Sequence, residues 1–552
     1  MNTFLLTLTI GVVVWAIKLQ ARNTHFLHMA QLEKYQINDY ISWISRNKKH
    51  LPDLKEIYFT AALVFTGLWC LYLNLDNAEI LLIILWIGTT AYLFYKRDRP
   101  KHKKKLVFTP RAIRLFITSN LLFLYLISDM LLRIFSSTQY ATLLVIFVVI
   151  AAQIMYQLAF YFILLGTLIN HPIETFINKY YMRSAKHIVR GSKAKIIGIT
   201  GSYGKTSVKN ILHTLLSVKY KTLKTPESYN TPMGICKVIR GDLEPDHDFF
   251  VVEMGARRIG EIKELCDLVG PETGIITAVG PQHLETFGSL KNISETKYEL
   301  LKSLPDDGTA ILNGDDPLCV DMVNKRRFQN IFLFGTDFDK KKIDQKEETS
   351  YTFVQAKNIS IDSNGSGFIL KNGRSEVEIK TDLLGRQNIN NILAATAVAL
   401  HYGMTLEEIK IAAKDIKPIP HRLQLIKNPN GMVVIDDAFN SNPVGARMAL
   451  DVLRSFKGGK KILVTPGLIE LGEIEYEENK KLGERAAEIC DYVIVVGKTQ
   501  AGPIIAGLEE KKFSSNKMKN VESLDKASQY LQTILKAGDI ILFENDLPDN
   551  YL

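Results

Sequence analysis

Two glycines, a lysine and a threonine lie close together in Thr200-Gly201-Ser202-Tyr203-Gly204-Lys205-Thr206, and residues of these types can bind the phosphates of a nucleotide. A β-branched run (194–199) precedes the segment and a helix-compatible stretch follows, so backbone N–H groups and the helix dipole would face an anion. Lys205 can reach terminal phosphates, and the Thr206 hydroxyl can ligate Mg²⁺. The strict phosphate-binding loop (P-loop) motif requires glycine at position 199, where this chain has isoleucine. The sequence departs from the motif at this one position. The predicted phosphate site comprises Thr200, Gly201, Ser202, Gly204, Lys205, Thr206 and Ser207.

Three ionisable residues further along the chain could take part in the same chemistry. Glu253 ends an apolar run, and a carboxylate there can bind a magnesium ion that bridges nucleotide phosphates. His283 follows another apolar run and suits a second metal ligand or a phosphate contact, although a lone histidine is more often structural. Lys297, in the stretch ETKYELL, lies 14 residues after His283. On composition alone, Lys297 is a solvated helix lysine.

Short β-branched runs alternate with helix-type stretches from residue 195 onward, which is typical of βαβ units around a parallel sheet. Ligand sites in such folds lie at the carboxyl ends of the strands. Glu253 and His283 follow runs of this kind, so both fall where such a site is expected. The predicted strands lie in the runs 249–255, 273–280, 432–437, 461–467 and 492–497.

Residues 1–170 have a different composition, with long apolar runs. Five of these approach the ~20 residues needed to cross a bilayer. The first lacks a basic leading region and a small-residue cleavage site, so it predicts a retained anchor rather than a signal peptide. The five predicted spans are 3–19, 57–75, 78–96, 113–134 and 140–168.

The formal net charge of +10 could indicate a nucleic-acid partner. Its densest cluster, at 96–114, instead lies between two predicted spans, where basic residues mark a cytoplasmic loop. Loop 18–55 is also basic, whereas connections 76–79 and 136–139 contain no lysine or arginine. The pattern therefore predicts a membrane protein with no nucleic-acid partner, its N-terminus outside and everything after residue 170 in the cytoplasm. The five cysteines are scattered and indicate neither a disulfide framework nor a zinc site.

Several motifs together resemble the Mur ligase family. TGSYGKT, TPESYNTPMG (225–234), EMGARRIGEI (253–262) and HLETFGS with ETKYEL resemble its central domain. LLGRQNINNILAATAVAL (383–400) is similar to its adenine-binding helix, and PHRL (420–423) with VIDDAFNSNPVGARMAL (434–450) is similar to the start of its C-terminal domain. The resemblance extends over residues 194–552, and six separated motifs in the family's order exclude coincidence.

The composition of residues 1–193 and the resemblance over residues 194–552 together predict an organisation and a fold. A five-span helical transmembrane region (1–170) and an amphipathic connector (171–193) would precede an α/β part. The connector is expected on the inner membrane surface, or as a plain linker helix. The α/β part would contain a P-loop parallel-sheet ATP-binding domain (194–417) and a Rossmann-like C-terminal domain (418–552).

The resemblance also implies roles for individual residues. Thr206 and Glu253 would hold one Mg²⁺, and His283 and Lys297 a second, with Lys297 carbamylated. Arg422 would reach a phosphate of ATP on domain closure. The remaining implied contacts are Asn388 and Asn391 at adenine, Asp436, Asp437 and Asn440 on the nucleotide side of the cleft, and Asn230 and Thr231 at the acceptor substrate.

The implied activity is an ATP-dependent ligation through an acyl phosphate. The motif Asp-Asp-x-(Phe/Tyr)-Asn-x-Asn-Pro is most similar to the family member that adds D-alanyl-D-alanine to UDP-N-acetylmuramoyl-tripeptide. The expectation is thus a ligase of peptidoglycan precursor synthesis in the bacterial cytoplasmic membrane, with its catalytic domains in the cytoplasm. The alternatives are a ligase for a lipid-linked or other carboxylate acceptor, or for another amide polymer, and a noncatalytic scaffold, against which the intact site residues argue.

The chain departs from the family pattern in three places. Membrane spans replace the soluble domain that holds the UDP group. Thr465-Pro466-Gly467 stands where a Gly-Asp-Met type turn is usual, and Asn-Asp-Leu-Pro-Asp (545–549) stands where a Lys-Gly-Ser turn is usual. The last two changes fall in the domain that receives the amino component, so they bear on its identity.

Overall fold

The structure is a computed structural model that describes residues 2–48, 51–97, 104–135, 141–325, 328–337, 349–362, 364–427, 431–439 and 441–546. The chain divides into two compact units, one ending at Asn178 and the other beginning at Lys179. The first unit is helical and the second contains two β-sheets.

The helical unit is built from long apolar helices. Trp15, Leu27, Ile83 and Ile163 are among the side chains that form its core. Its helices are α1 (Asn2–Leu32), α2 (Ile37–Asn47), α3 (Leu54–Tyr72), α4 (Ala78–Tyr95), α5 (Pro110–Phe135), α6 (Ala141–Gln157) and α7 (Ala159–Gly191), the last of which continues into the second unit.

Five helices of the described residues are long and apolar enough to cross a membrane: Thr3–Leu32, Leu54–Tyr72, Ala78–Tyr95, Pro110–Asp129 and Ala159–Gly191. The single predicted span 140–168 is wrong, because two helices, α6 and α7, occupy it. A tight turn at Leu158, whose carbonyl accepts from the Tyr161 N–H at 2.9 Å, separates them. Neither glycine nor proline marks this turn in the sequence. The predicted outer connection 136–139 lies outside the described residues.

The predicted connector 171–193 is not a separate element. Helix α7 runs through Pro172 without a break and ends at Gly191. From Lys179 onward it belongs to the second unit, where Ala185 is fully buried and Met182 and Ile188 pack into the same apolar cluster. The apolar residues around Ala185 therefore pack inside the second unit, whereas Phe176 and Tyr180 are exposed, and the expected contact of this segment with the membrane surface stays a prediction.

The larger sheet has nine strands in the order β2-β3-β1-β4-β5-β6-β7-β8-β9. The strands from β2 to β7 pair in parallel, and β8 and β9 extend the sheet as an antiparallel hairpin. The elements are β1 (Lys195–Thr200), α8 (Lys205–Ser217), β2 (Thr222–Lys224), α9 (Pro232–Asp242), β3 (Phe249–Glu253), α10 (Glu261–Val269), β4 (Thr273–Ile276), α11 (Leu284–Phe287), α12 (Leu290–Lys302), β5 (Thr309–Asn313), α13 (Pro317–Val323), β6 (Asn330–Gly335), β7 (Ser350–Asp362), β8 (Gly365–Asn372), β9 (Ser375–Thr381), α14 (Gly385–His401) and α15 (Leu406–Ala413).

The smaller sheet has six strands in the order β10-β11-β15-β12-β13-β14, of which only β10 pairs antiparallel. Two short 3₁₀ turns, Gly472–Ile474 and Ser515–Lys517, lie between its elements. The elements are β10 (Gln424–Lys427), β11 (Val433–Asp437), α16 (Pro443–Ser455), β12 (Lys461–Thr465), α17 (Glu475–Ile489), β13 (Tyr492–Val496), α18 (Ala501–Glu510), β14 (Met518–Val521), α19 (Leu524–Ile534) and β15 (Ile540–Glu544).

Both sheets, which are mainly parallel, confirm the predicted α/β class. All five predicted strands are present; four of them end one to four residues before their predicted runs, and β11 ends at the same residue as its run. In the larger sheet, Ile199 of β1 pairs with Glu253 of β3, and Thr200 pairs with Ile276 of β4. This register brings the carboxyl ends of three strands to one edge. Ile197 and Ile199 are fully buried beneath α8, and each such side chain contributes about 1.5–3 kcal/mol. The edge that carries the phosphate loop is therefore rigidly supported.

Candidate active site

The predicted phosphate loop forms the turn between β1 and α8. Ser202 joins it to the end of β4, since its N–H donates to Ala278 O and its hydroxyl to Gly280 O, both at 2.8 Å. Thr200 Oγ1 donates to Met254 O at 3.0 Å, after β3. The Lys205 amine donates to Gly201 O at 2.5 Å and to Ser202 O at 3.1 Å. Thr206 and Ser207 begin α8, so all seven predicted loop residues lie together.

Gly201 and Gly204 have conformations and surroundings that require glycine. Gly201 has φ +147°, and a Cβ there would lie 2.0 Å from Thr277 Oγ1. Gly204 has φ +84°, and a Cβ there would lie 2.6 Å from Asn391 Oδ1. The loop therefore packs directly against β4 and α14.

Gly201→Ala is expected to destabilise the fold by about 1–3 kcal/mol through overpacking and to abolish nucleotide binding. Thermal unfolding and ADP titration measure the two effects. Gly241→Ala is the matched control, because a Cβ on this helical glycine would have no neighbouring atom within 4 Å among the described residues, and the variant should gain up to about 1 kcal/mol. If the two variants had equal thermal stability and equal affinity for ADP, the described packing of Gly201 against Thr277 would be contradicted.

Glu253 lies at the end of β3, beside the loop. Its Oε2 accepts from Lys209 Nζ at 2.9 Å and its Oε1 from Asn230 Nδ2 at 3.1 Å. Burial acts to raise the pKa of Glu253, but the charges of Lys209 and Lys205 outweigh it and hold this pKa below its usual value. Thr231, next to Asn230, caps α9 by accepting from Gly234 N–H. An ionised carboxylate thus adjoins both the phosphate loop and the predicted acceptor segment.

Lys297 is buried on α12, and its Nζ lies 5.8 Å from the centre of the Phe287 ring. Its amine has no hydrogen-bond partner among the described residues. Burial, and then the nearby charge of Lys205, lower the pKa of Lys297 to about 7. A large share of this amine is therefore neutral at neutral pH, unlike that of the solvated lysine suggested by composition alone.

His283 has φ +53° and begins α11. Its Nδ1 contacts Glu470 Oε2, and Glu470 Oε1 lies 3.5 Å from Arg257 Nη2. Burial lowers the pKa of His283, although Glu470 acts to raise it. Glu470 follows the smaller sheet's β12, so this contact joins the two sheet regions at the predicted second metal ligand.

Asn388 and Asn391 are buried on α14, and Asn391 Nδ2 donates to Asn388 Oδ1 at 3.2 Å. The structure places Asn391 against the phosphate loop at Gly204. At its start, α14 contacts the smaller sheet's layer, because a Cβ on Gly385 would lie 2.8 Å from Val452. The contact of Asn388 and Asn391 with adenine stays a prediction.

Arg422 stacks on Phe439, with its guanidinium carbon 4.5 Å from the ring centre. Burial lowers the pKa of Arg422, while the charges of Asp437 and Glu253 act against this. Arg422 in turn contributes to the lowering of the Lys205 pKa to about 8, after the larger effect of burial. Arg422, Lys205 and Glu253 thus act on one another electrostatically across the two sheet regions.

Asp436 and Asp437 end β11. Asp436 Oδ2 lies 2.8 Å from His421 Nδ1, and Asp437 Oδ1 accepts from Leu423 N–H at 3.0 Å. These bonds hold the segment that carries Arg422. The predicted Asn440 lies outside the described residues.

The two unusual turns of the C-terminal region contact one another. Asn545 Nδ2 donates to Gly467 O at 2.6 Å, and Asn545 Oδ1 accepts from Ser441 N–H at 3.2 Å. The Ser441 hydroxyl also binds the buried carboxyl of Glu544. Both departures from the family pattern therefore belong to one network around the loop after β11.

Glu544 is fully buried and pairs in register with Asp437 on the neighbouring strand. Burial, and then the charge of Asp437, raise the pKa of Glu544 well above its usual value, and burial raises that of Asp437 to about 6. A carboxyl whose pKa is raised by folding stabilises the fold at low pH, and this contribution is lost as pH rises through the folded pKa. The pair therefore destabilises the fold above about pH 6.

Glu544→Gln is expected to raise stability relative to the parent at pH 8 by about 1–2 kcal/mol and to change it little at pH 5. Thermal unfolding across this pH range measures the difference. Glu522→Gln, at an exposed glutamate, is the control and should show no such pH dependence. If the stability difference between Glu544→Gln and the parent became smaller as pH rises, the proposed effect of the buried carboxyl pair would be contradicted.

Sequence reasoning missed three charged residues of the site: Lys209, Glu470 and Glu544. Lys209 follows Lys205 by one helical turn, a spacing that puts both on one face of α8. This spacing could have indicated from the sequence that Lys209 lies near the phosphate loop. The partners of Glu470 and Glu544 are distant in the chain or on a neighbouring strand, so no local pattern indicated them.

Comparison with known proteins gives a consistent result. The family model for the Mur ligase middle domain matches residues 199–399, and that for the Mur ligase, glutamate ligase domain matches residues 421–544. The UDP-N-acetylmuramoyl-tripeptide--D-alanyl-D-alanine ligase of Bacillus subtilis is 30% identical over 367 residues, covering 65% of this chain and 75% of the relative. The Escherichia coli protein of the same name is 32% identical over 306 residues, covering 55% of this chain and 65% of the relative.

Solved structures show the same similarity. MurF from Acinetobacter baumannii superposes with a TM-score of 0.59 at 26% identity, covering 67% of this chain and 77% of the other. MurF ligase from Thermotoga maritima in complex with ADP gives a TM-score of 0.59 at 27% identity, covering 67% of this chain and 80% of the other. The matched family models begin at residue 199, after the helical unit.

Proposed function

Because the chain belongs to the Mur ligase family, we propose that it adds D-alanyl-D-alanine to UDP-N-acetylmuramoyl-tripeptide in peptidoglycan precursor synthesis. The protein is an ATP-dependent ligase that forms an amide bond. One observation carries the assignment of the chemistry to this site: Lys205 lies in the phosphate loop after β1, and Glu253 ends the strand β3 that pairs with β1, so the two lie at the same edge of the sheet.

The proposed reaction activates a carboxylate. The terminal carboxylate of the acceptor attacks the γ-phosphorus of ATP, the bond to the β-phosphate oxygen breaks, and an acyl phosphate and ADP result. The amine of the second substrate then attacks the acyl carbon, loses a proton and displaces phosphate. Lys205 and Arg422 offset the negative charge that the transferred phosphoryl group spreads over its oxygens.

The donor set fits divalent magnesium. Thr206 and Glu253 offer a hydroxyl and an ionised carboxylate, the oxygen ligands that Mg²⁺ prefers. We assign one ion to this pair and a second to His283 and Lys297. When bound, these ions would neutralise charge on the phosphates.

Lys297 is proposed to be carbamylated. Its neutral amine attacks carbon dioxide, an N–C bond forms and one proton is released, which turns the amine into an oxygen-bearing anion. The burial of Lys297 and the lowering of its pKa to about 7 support this proposal, since only the neutral amine reacts. The carbamate would then supply the anionic oxygen ligand that an unmodified lysine lacks.

The remaining roles follow the same assignment. Asn230 and Thr231 would bind the acceptor, and Asn388 and Asn391 would shape the adenine pocket. Asp436 and Asp437 would act on the nucleotide side through their hold on the Arg422 segment, and Asn440 is assigned to the same side.

The test uses detergent-solubilised full-length protein with Mg-ATP, UDP-N-acetylmuramoyl-tripeptide and D-alanyl-D-alanine. ADP release that matches pentapeptide formation is the expected result. ADP release only with another amino donor would contradict the proposed amino substrate. Omission of each substrate in turn is the control.

A second candidate is a lipid-linked carboxylate acceptor, or another amide polymer. It is favoured by the apolar helices that precede the first matched residue, where the family has its UDP-binding domain. No product from the UDP-linked tripeptide, together with turnover of a lipid-linked acceptor, would establish this candidate instead.

We also propose that the helical unit spans the bacterial cytoplasmic membrane with the catalytic unit in the cytoplasm. Five long apolar helices and the excess of lysine and arginine in the segments 18–55 and 96–114 of the sequence support this topology, although residues 18–32 belong to helix α1 rather than to a loop. The protein should stay in the membrane pellet after an alkaline carbonate wash. Protease should reach residues after 191 in inverted vesicles but not in intact spheroplasts.

A further inference from the structure

Lys209 is a fully buried cation beside the proposed metal carboxylate. Its Nζ donates to Glu253 Oε2 at 2.9 Å and to the backbone oxygen of Glu227. A lysine is almost never fully buried without a charged partner. Lys209 therefore joins two parts of the site: the carboxylate at the end of β3 and the segment 225–231 that leads into α9, here called the acceptor segment.

Three further hydrogen bonds join the Glu253 region to the acceptor segment. Glu253 Oε1 accepts from Asn230 Nδ2 at 3.1 Å, and Glu253 N–H donates to Thr225 Oγ1 at 3.2 Å. The Gly255 N–H donates to Asn230 O at 3.0 Å, just beyond the strand. The acceptor segment is thus attached to the Glu253 region at both of its ends, and Lys209 is the cationic member of this attachment.

We propose that Lys209 is a positioning residue that couples divalent-cation binding at Glu253 to the ordering of the acceptor segment. The inference rests on the proposed function only in naming that segment as the acceptor site. The hydrogen bond from Lys209 orients the Glu253 carboxylate, and the positive charge of Lys209 also repels an incoming cation. Its bond to the Glu227 oxygen keeps the acceptor segment closed against the same carboxylate.

Removal of Lys209 should strengthen cation binding at Glu253 and weaken the order of the acceptor segment. Without its charge, Glu253 attracts a divalent cation more strongly, because a like charge has been removed from its side. Without its hydrogen bond to Glu227, the acceptor segment loses an attachment and opens more often. A residue that merely supported the fold would weaken cation binding and segment order together.

The test compares full-length parent with Lys209→Met in detergent. The Mn²⁺ concentration for half-saturation, followed by the electron paramagnetic resonance of free Mn²⁺ with ADP present, should fall about tenfold. Hydrogen exchange of amides in peptides covering 225–234 should accelerate about tenfold. Lys263→Met is the control: this exposed lysine of α10 donates to Asp267 Oδ2 at 2.7 Å, away from the acceptor segment in the chain. It should change neither measurement.

Unchanged Mn²⁺ binding, weaker Mn²⁺ binding or unchanged exchange in Lys209→Met would each overturn the proposal. If the unpaired Glu253 prevents this variant from folding, Lys209→Met with Glu253→Gln removes the uncompensated charge. Exchange in this double variant should be faster than in Glu253→Gln alone, and equal exchange would overturn the proposal.

Both measurements use no acceptor substrate, so their outcome is independent of the proposed function. Where the UDP-linked tripeptide is a substrate, its KM should also rise about tenfold in Lys209→Met, because the opened segment must be ordered again on binding. A tripeptide that is not ligated by the parent would contradict the proposed function and leave the cation and exchange results to decide the role of Lys209.

Discussion

Lys205→Ala should lower kcat of the ligation by at least about a hundredfold, the loss seen when one preorganised charge-stabilising group is removed from a transition state. The Lys205 amine lies within the phosphate loop, on the oxygens of Gly201 and Ser202, and Arg422 and Glu253 act on its charge. No other lysine of α8 has this position. ADP release in steady state, with all substrates saturating, measures the effect.

The control for this variant is Lys219→Ala, just beyond α8. Lys219 is exposed and lies 3.5 Å from Glu408, and such surface pairs contribute at most about 1 kcal/mol. Its removal should leave kcat unchanged. Full activity of Lys205→Ala would contradict the assignment of the loop to the transferred phosphoryl group.

Lys297→Ala should also lower kcat by about a hundredfold or more, because the site loses the proposed anionic oxygen ligand. Acetate or formate at high concentration should restore part of the rate, since a short carboxylate fits where the carbamate would be. Lys205→Ala should not respond to these acids. The measurement is ADP release with and without each acid at constant ionic strength.

Lys302→Ala, at an exposed lysine of the same helix α12, is the matched control and should behave like the parent. Unchanged activity of Lys297→Ala would refute the role of a metal ligand. Lost activity with no response to short acids would refute the carbamate and leave only a requirement for the lysine itself.

The catalytic unit was largely predictable because its signals are local. The phosphate loop, Glu253 and the parallel strands follow from β-branched runs that end in polar residues, and the structure brings these residues to one edge of the larger sheet. The hairpin of β8 and β9 was not predicted, because β9 alternates between exposed and buried residues and β8 has an apolar run of only three residues.

Other features could not be predicted, because they depend on residues far apart in the chain. The contacts of Lys209 with Glu253 and of His283 with Glu470 join segments that no spacing rule relates. The apolar composition of α7 ends at residue 170, so the sequence predicts a boundary there. The helix itself continues to Gly191. The turn at Leu158 went undetected because both sides of it are equally apolar.

Helix α14 contacts both sheet regions. A Cβ on Gly385, at its start, would lie 2.8 Å from Val452 of α16, and Asn391 of the same helix lies against Gly204 of the phosphate loop. At 1.5 Å per residue, these two contacts are about 9 Å apart. We therefore expect a displacement between the two sheet regions to reach the phosphate loop through this one helix and to change its affinity for nucleotide.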